Sequence, residues 1–283
     1  MSDVEIETVP STDTEPEEAQ EKPDKKESSL VAFFIDPQND FYTANKTQQR
    51  KQGSLGIPGG TDALLAALRY LESNTPSHVI VMLDTHTHTN IGHPSYWVDE
   101  DGGHPLPYTT ISAADIETEQ WSPLWGKLRE YTLKYARRVE QNRHHSISIW
   151  PYHAIENTKG HAVVAEVQSF LAHWSQAQGK SVTYLEKGKN PHTEFYSAFR
   201  AEVPVKADKG TELNQALIDQ LLSYDKVLVI GQSHSLDQSV RDLVDHIPAD
   251  RHADIILLKQ ATMVAPGARQ LLAFAQEQGI TIL

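Results

Sequence analysis

The sequence predicts an α/β protein of three layers, a mostly parallel sheet between two layers of helices. Two observations carry that reading. Short, continuous apolar runs each stop at a polar residue or a glycine, as strands buried on both faces do. Amphipathic segments of helical period separate these runs in regular alternation, which favours parallel pairing with helices on both faces. The chain has 283 residues, enough to bury a large core without covalent staples.

The elements follow in order. Leu30–Ile35 is the first strand and ends at Asp36; His78–Leu83 is the second and ends at Asp84. Val182–Leu185 runs into Glu186-Lys187, Val227–Ile230 into Gly231, and Ile255–Leu258 and Ile280–Leu283 complete the set. Helical patterns cover Gly60–Ser73, His161–Gln178, Thr211–Ser223, Gln238–His246 and Ala265–Gln278. An insertion around 94–145, rich in His, Trp and Tyr, interrupts the alternation. Within it Ser122-Pro123 reads as an N-cap followed by Pro at the first helical position, with Leu124, Leu128, Tyr131 and Tyr135 at helical spacing. Ser146–Trp150 reads as a short strand stopped by Pro151. Residues 1–29 carry ten acids against three Lys and almost no large apolar residues, so they are expected to form a disordered acidic tail ahead of a domain spanning 30–283.

Composition excludes several function classes. With no cysteine there is no disulfide framework, no Cys-ligated zinc or iron–sulfur centre, and no Cys nucleophile. A formal charge of −13 points away from a nucleic-acid partner. No apolar run approaches a membrane span, and the N-terminus has neither the basic start nor the apolar stretch of a secretory signal, so a cytoplasmic protein is expected.

In open parallel sheets ligands bind beyond the carboxyl ends of the strands. The polar groups there are Asp36, Asp84 with His86, Lys187, and the loop Gly231-Gln-Ser-His-Ser-Leu-Asp237. Asp84 and His86 are one residue apart, so in an extended segment both side chains point the same way and can reach one ion. A third ligand can come from His88, His93, His104 or His153. Carboxylate and imidazole without thiolate suit Zn, Mn or Fe as a divalent transition metal. Asp36 beside Lys187 forms either a proton-transfer pair or a salt bridge between neighbouring strand ends.

These segments resemble, in order and context, the nicotinamidase/isochorismatase-like hydrolases. Asp36-Pro-Gln-Asn-Asp-Phe41, Pro58-Gly59-Gly60, Asp84-Thr-His86, Trp150-Pro-Tyr-His153, and Lys187-Gly188 with Glu194-Phe-Tyr-Ser-Ala-Phe199 carry the resemblance, which covers nearly everything from Leu30 to Leu283. It implies the isochorismatase-like hydrolase fold, with Asp36 as catalytic acid/base and Lys187 as catalytic lysine. It also implies a metal at Asp84, His86 and His153, and aromatic substrate contacts at Phe41 and Trp150, with Trp97 as a further candidate from the insertion. A small planar ligand such as a pyridine carboxamide and a homo-oligomer are the expected partners. The departure is at the nucleophile. The family places a Cys six residues after the loop glycine, and here that count lands on Asp237; allowing two inserted residues puts Ser239 in its place.

Removing a covalent nucleophile costs on the order of 10⁶ in turnover. The expectation is therefore a catalytically degenerate binder of a small molecule or partner that keeps the metal and pocket. The alternative is a hydrolase of altered mechanism, using metal-activated water with Asp237 or Asp36 as base, or Ser239 as nucleophile. A third possibility is a structural relic.

Overall fold

The computed structural model describes residues 29–43, 53–231, 233–262 and 267–283. The acidic tail expected over 1–29 lies outside the described residues apart from Ser29, whose N–H and hydroxyl both donate to Asp225 Oδ2.

Six parallel strands form the central sheet: β1 (Leu30–Ile35), β2 (His78–Asp84), β3 (Thr183–Lys187), β4 (Lys226–Ile230), β5 (Ile255–Leu257) and β6 (Thr281–Ile282), in the spatial order β6-β5-β4-β1-β2-β3. The central strands alternate between two apolar faces. Val31, Phe33 and Ile35 of β1 pack with Ile80, Met82, Val227 and Val229 on one side, whereas Ala32 and Phe34 pack with Val79, Val81, Leu228 and Ile230 on the other. Both faces are covered, which is why these strands read as unbroken apolar runs. Helices α1 (Gly60–Ser73) and α3 (Ala165–Gln178) cover one face, while α4 (Gln215–Leu222), α5 (Ser233–His246) and α6 (Ala268–Glu277) cover the other; α2 (Arg129–Arg143) belongs to the insertion. A fully buried Leu, Val or Phe contributes about 1.5–3 kcal/mol, so the two faces together hold the three-layer α/β/α architecture.

The insertion has a core of its own, built on Ile91, Tyr96, Trp97, Ile111, Tyr135, Val139 and Ile149. Two short antiparallel pairings organise it, Trp97–Val98 with Ser122–Pro123 and Thr110–Ile111 with Ile147–Ser148.

Several boundaries differ from expectation. Ser122-Pro123 is strand rather than helix cap, because it pairs with Trp97–Val98 and Leu124 N–H bonds to Tyr96 O; α2 begins only at Arg129. α3 begins at Ala165 rather than His161, because 162–164 bond to the segment after β1: Asn39 N–H to Ala162 O, and Val164 N–H to Pro37 O. α4 begins at Gln215, where the Asn214 side chain accepts from Leu217 N–H and caps the helix. α5 begins at Ser233, five residues before the expected Gln238. A short helix, Lys259–Thr262, was not anticipated, and the expected start of the last helix at Ala265 falls outside the described residues.

Among the described residues no helix is long and apolar enough to cross a membrane.

Candidate functional site

The chain leaves β1 on one side for β2 and β3 and later returns to pair β4 on the other side. The crevice at such a reversal is where open α/β sheets place ligands. Asp36, Asp84 and Lys187 emerge there from β1, β2 and β3, and the first turn of α5 enters from β4.

Asp36 has φ 53°, a left-handed backbone that Asp tolerates better than most residues. The segment after it braces the rest of the site. Gln38 clamps the Asp84 backbone from both sides: its Oε1 accepts from Asp84 N–H at 2.8 Å and its Nε2 donates to Asp84 O at 2.7 Å. Asp40 Oδ2 accepts from Ala154 N–H at 2.9 Å, holding the loop that carries His153. Neither supporting role was legible in sequence, since each depends on a contact over 40 residues away in the chain.

Lys187 is buried between two carboxylates, its Nζ 3.2 Å from Asp36 Oδ2 and 3.5 Å from Asp84 Oδ1, and it donates to Phe195 O at 2.7 Å. One ammonium shared by two buried acids drives them apart. Burial pushes the Asp36 carboxyl up to about 6, against the pull of Lys187 and of the Ser235 hydroxyl and with the help of Asp84. Burial opposes ionisation at Asp84 too, but His86 and Lys187 prevail and hold it well below the usual carboxylate range. Lys187 itself is raised, because Asp36 and Asp84 outweigh its desolvation. Near neutral pH the arrangement is an ionised Asp84 beside an Asp36 able to exchange a proton, the divergence expected of an acid/base pair.

Asp84, His86 and His153 offer ligand atoms that all lie within 4.8 Å of one another, and all three are buried. His86 Nε2 is 2.9 Å and His153 Nε2 3.7 Å from Asp84 Oδ2. The other ring nitrogens face neighbouring groups, His86 Nδ1 the Asn90 amide at 3.1 Å and Gly188 O at 3.2 Å, His153 Nδ1 Pro151 O at 2.8 Å, while each Nε2 is turned toward Asp84 Oδ2. Asp84 Oδ1 is buried without a hydrogen-bond partner. Gly188, at φ 80°, makes room: a Cβ there would lie 2.7 Å from Asp84 Oδ1 and 2.9 Å from His86 Cε1. The three residues could therefore hold a divalent metal, and the donor set fits zinc, manganese or iron. Despite its burial, His86 is raised to about 9 by Asp84, whereas burial and the neighbouring His86 lower His153 to about 4. Among the other His candidates, His93 places its Nε2 3.2 Å from His153 Nδ1 and is lowered by burial to about 2.

Above these groups opens a cavity of about 280 Å³, walled by Asp36, Asp84, His153, Phe41, Trp150, Tyr108, Tyr196, Glu194, His234 and Ser235, with 54–57 along one rim. Trp150 Nε1 donates to Tyr196 Oη at 3.1 Å, and Phe41 sets its ring edge-on to His153 at 5.6 Å. Trp97, by contrast, is wholly buried in the insertion core, donating to Ile91 O, and is not on the cavity wall.

The earlier start of α5 moves the residues that follow Gly231. Asp237 ion-pairs with Arg241 one turn on, at 3.0 Å, and Ser239 is buried, donating to Ser235 O and accepting from Ala198 N–H; neither lines the cavity. The residues that α5 does present to it are His234 and Ser235. The sequence carried a signal for this: Leu236, Val240, Leu243 and Val244 are buried at helical spacing, so the stripe already includes Leu236.

The class this architecture defines is the isochorismatase-like hydrolase fold. In particular, the chain superposes on a nicotinamidase/pyrazinamidase from Acinetobacter baumanii with a TM-score of 0.57 at 16% identity, covering 92% of this chain and 97% of that one. The yeast nicotinamidase gives 0.55 at 15% identity over 90% and 99%, and the zinc complex of the Pyrococcus horikoshii pyrazinamidase 0.50 at 15% over 90% and 98%. No protein-family model and no curated protein sequence matches the chain.

Proposed function

We propose that this chain binds a small planar ring compound of the pyridine carboxamide or carboxylate class in a metal-bearing pocket, and does so without thiol chemistry. The observation that carries the reading is the cavity itself. Phe41, Trp150, Tyr108 and Tyr196 supply flat apolar walls, while Asp84 and His153 of the candidate metal site form part of the same wall. Aromatic walls around convergent polar groups, here Asp36, Asp84, His153 and Glu194, are the usual make-up of a small-molecule site. Structures with this fold include a yeast nicotinamidase bound to nicotinaldehyde and an L. infantum protein in complex with nicotinate, which supports the ring class. A divalent ion at Asp84, His86 and His153 would supply a fixed positive charge that orients and polarises the ring nitrogen or carbonyl of the ligand.

The absence of any cysteine takes this chain out of thiol-based acyl transfer, which makes a binding role the leading reading. Hydrolysis by another route is the second, and one observation favours it: Ser235, which carries a hydroxyl, shares the cavity wall with Asp36.

Titration calorimetry of the zinc- or manganese-loaded protein with nicotinate and nicotinamide tests the binding reading. Saturable binding that weakens at least about tenfold in Trp150→Ala is expected. Failure of both ligands to bind the metal-loaded protein refutes it.

A further inference from the structure

Ser235 is on the cavity wall with Asp36. Its position follows from tight packing at the end of β4. A Cβ on Gly231 would lie 3.1 Å from Ile35 Cβ and 3.2 Å from Ile35 O, tighter than ordinary van der Waals contact, so the turn after β4 lies close against the end of β1. That close approach brings the first turn of α5 to the cavity wall that Asp36 shares, where Lys187 Nζ lies 3.2 Å from Asp36 Oδ2 and neither Asp36 oxygen has a hydrogen-bond partner among the described residues.

Two further features prepare this serine. Its backbone is tied down by Ser239, which donates to Ser235 O at 2.5 Å and accepts from Ala198 N–H at 2.9 Å, linking α5 to the segment that carries Phe195 O, the acceptor for Lys187. Ser235 is also the third residue of α5, where backbone N–H groups are not used within the helix and can face a developing negative charge.

We propose that Ser235 is a nucleophile: its Oγ takes the acyl group of a ring-bearing ester or amide, with Asp36 as the proton acceptor. This rests on the reading that the pocket binds planar ring carbonyl compounds. The Oγ–H proton passes to Asp36 as the Oγ–C bond forms at the carbonyl carbon. The C–O or C–N bond to the leaving group then breaks, and the departing alcohol or amine takes the proton from Asp36. Water next attacks the acyl-serine, giving one proton to Asp36; the acid leaves as the Ser235 oxygen recovers that proton. The sum is ester or amide plus water to acid plus alcohol or amine. Lys187, buried between Asp36 and Asp84, positions the carboxylate that moves the proton. A hydroxyl is a poorer nucleophile than a thiol, so activated esters are turned over faster than amides.

The test uses the full-length zinc-loaded protein with 4-nitrophenyl nicotinate, read as nitrophenolate release and as acyl adduct by mass spectrometry after acid quench, with nicotinate affinity measured in parallel. Expected are a burst of about one equivalent, an adduct mapping to Ser235, and a loss of at least about 100-fold in Ser235→Ala with metal content unchanged. Ser235→Cys, the smaller perturbation, is expected to raise turnover. Nicotinate binding by the wild type with neither burst nor adduct overturns the proposal, as does turnover undiminished in Ser235→Ala or unchanged in Ser235→Cys. An adduct on Ser235 without nicotinate binding upholds the serine chemistry and refutes the ring-binding reading; absence of both refutes both.

Discussion

Gly188→Ala tests whether the close packing around Asp84 and His86 is what shapes the candidate metal site. At φ 80° an alanine sits in left-handed backbone, costing about 1–2 kcal/mol. Its methyl would also meet Asp84 Oδ1 at 2.7 Å and His86 Cε1 at 2.9 Å, both on buried side chains, which adds about 1–3 kcal/mol of overpacking. Gly179→Ala is the internal control. It also has positive φ, 61°, but nothing lies within 4 Å of its Cβ, so it carries the backbone cost alone. The loss of unfolded-state entropy on replacing glycine is common to the two and cancels in the difference. Gly188→Ala is thus expected to be less stable than Gly179→Ala by about 1–3 kcal/mol in urea unfolding, or about 2–12 °C in Tm for a domain of this size. The same methyl pushes two of three ligands off line, so zinc affinity by titration calorimetry should fall at least about 10–100-fold, against no change in Gly179→Ala. If Gly188→Ala binds zinc as tightly as wild type and loses no more stability than the control, the packing argument and the assignment of the ion position fail together.

Three further outcomes are expected. His153→Asn removes one imidazole from the ligand set and should reduce bound metal, measured by elemental analysis after dialysis against zinc, to well below one equivalent with the circular dichroism spectrum unchanged. Glu194, buried on the cavity wall, is pushed up from 4.5 to about 7, chiefly by burial. The folded metal-free protein therefore binds more protons than the unfolded chain between pH 4.5 and 7, and Glu194 lowers stability progressively across that window, by up to about 3 kcal/mol above it. Glu194→Gln should then match wild type near pH 4.5 and exceed it above pH 7; a gap that does not change with pH would falsify the assignment. Arg200 ion-pairs through two nitrogens with Asp242, which is 1% exposed, so Arg200→Ala leaves a buried carboxylate without its cation and should cost about 3 kcal/mol in urea unfolding.

How far the sequence could be read depended on the range of the forces involved. The sheet was legible because burial on both faces demands an unbroken apolar run, and Leu30–Ile35, His78–Leu83 and Val227–Ile230 meet that demand within their own residues. Asp84 and His86 were legible for the same local reason, alternate positions on an extended segment. Ser122-Pro123 misled because its local signal, a cap and a proline, lost to a pairing with Trp97–Val98 that no window around residue 122 contains. The supporting bonds from Gln38 and Asp40 were hidden likewise, each made to backbone brought near only by the sheet.

Ser235 differs, because its evidence was local and a fixed spacing displaced it. Counting six residues from Gly231 assumes that the turn after β4 has constant length, and selects Asp237. The apolar stripe makes no such assumption. Leu236 is 1% exposed and keeps register with Val240, Leu243 and Val244, so residue 236 must already be helical and facing the core. On a helix the preceding residue lies about 100° around the barrel from it. With Leu236 pointing into the core beneath the sheet, Ser235 turns toward the strand ends, where Asp36 lies. Periodicity, which is imposed by burial, is thus a firmer guide to which side chain faces a site than a residue count across a loop, where an insertion or deletion costs little.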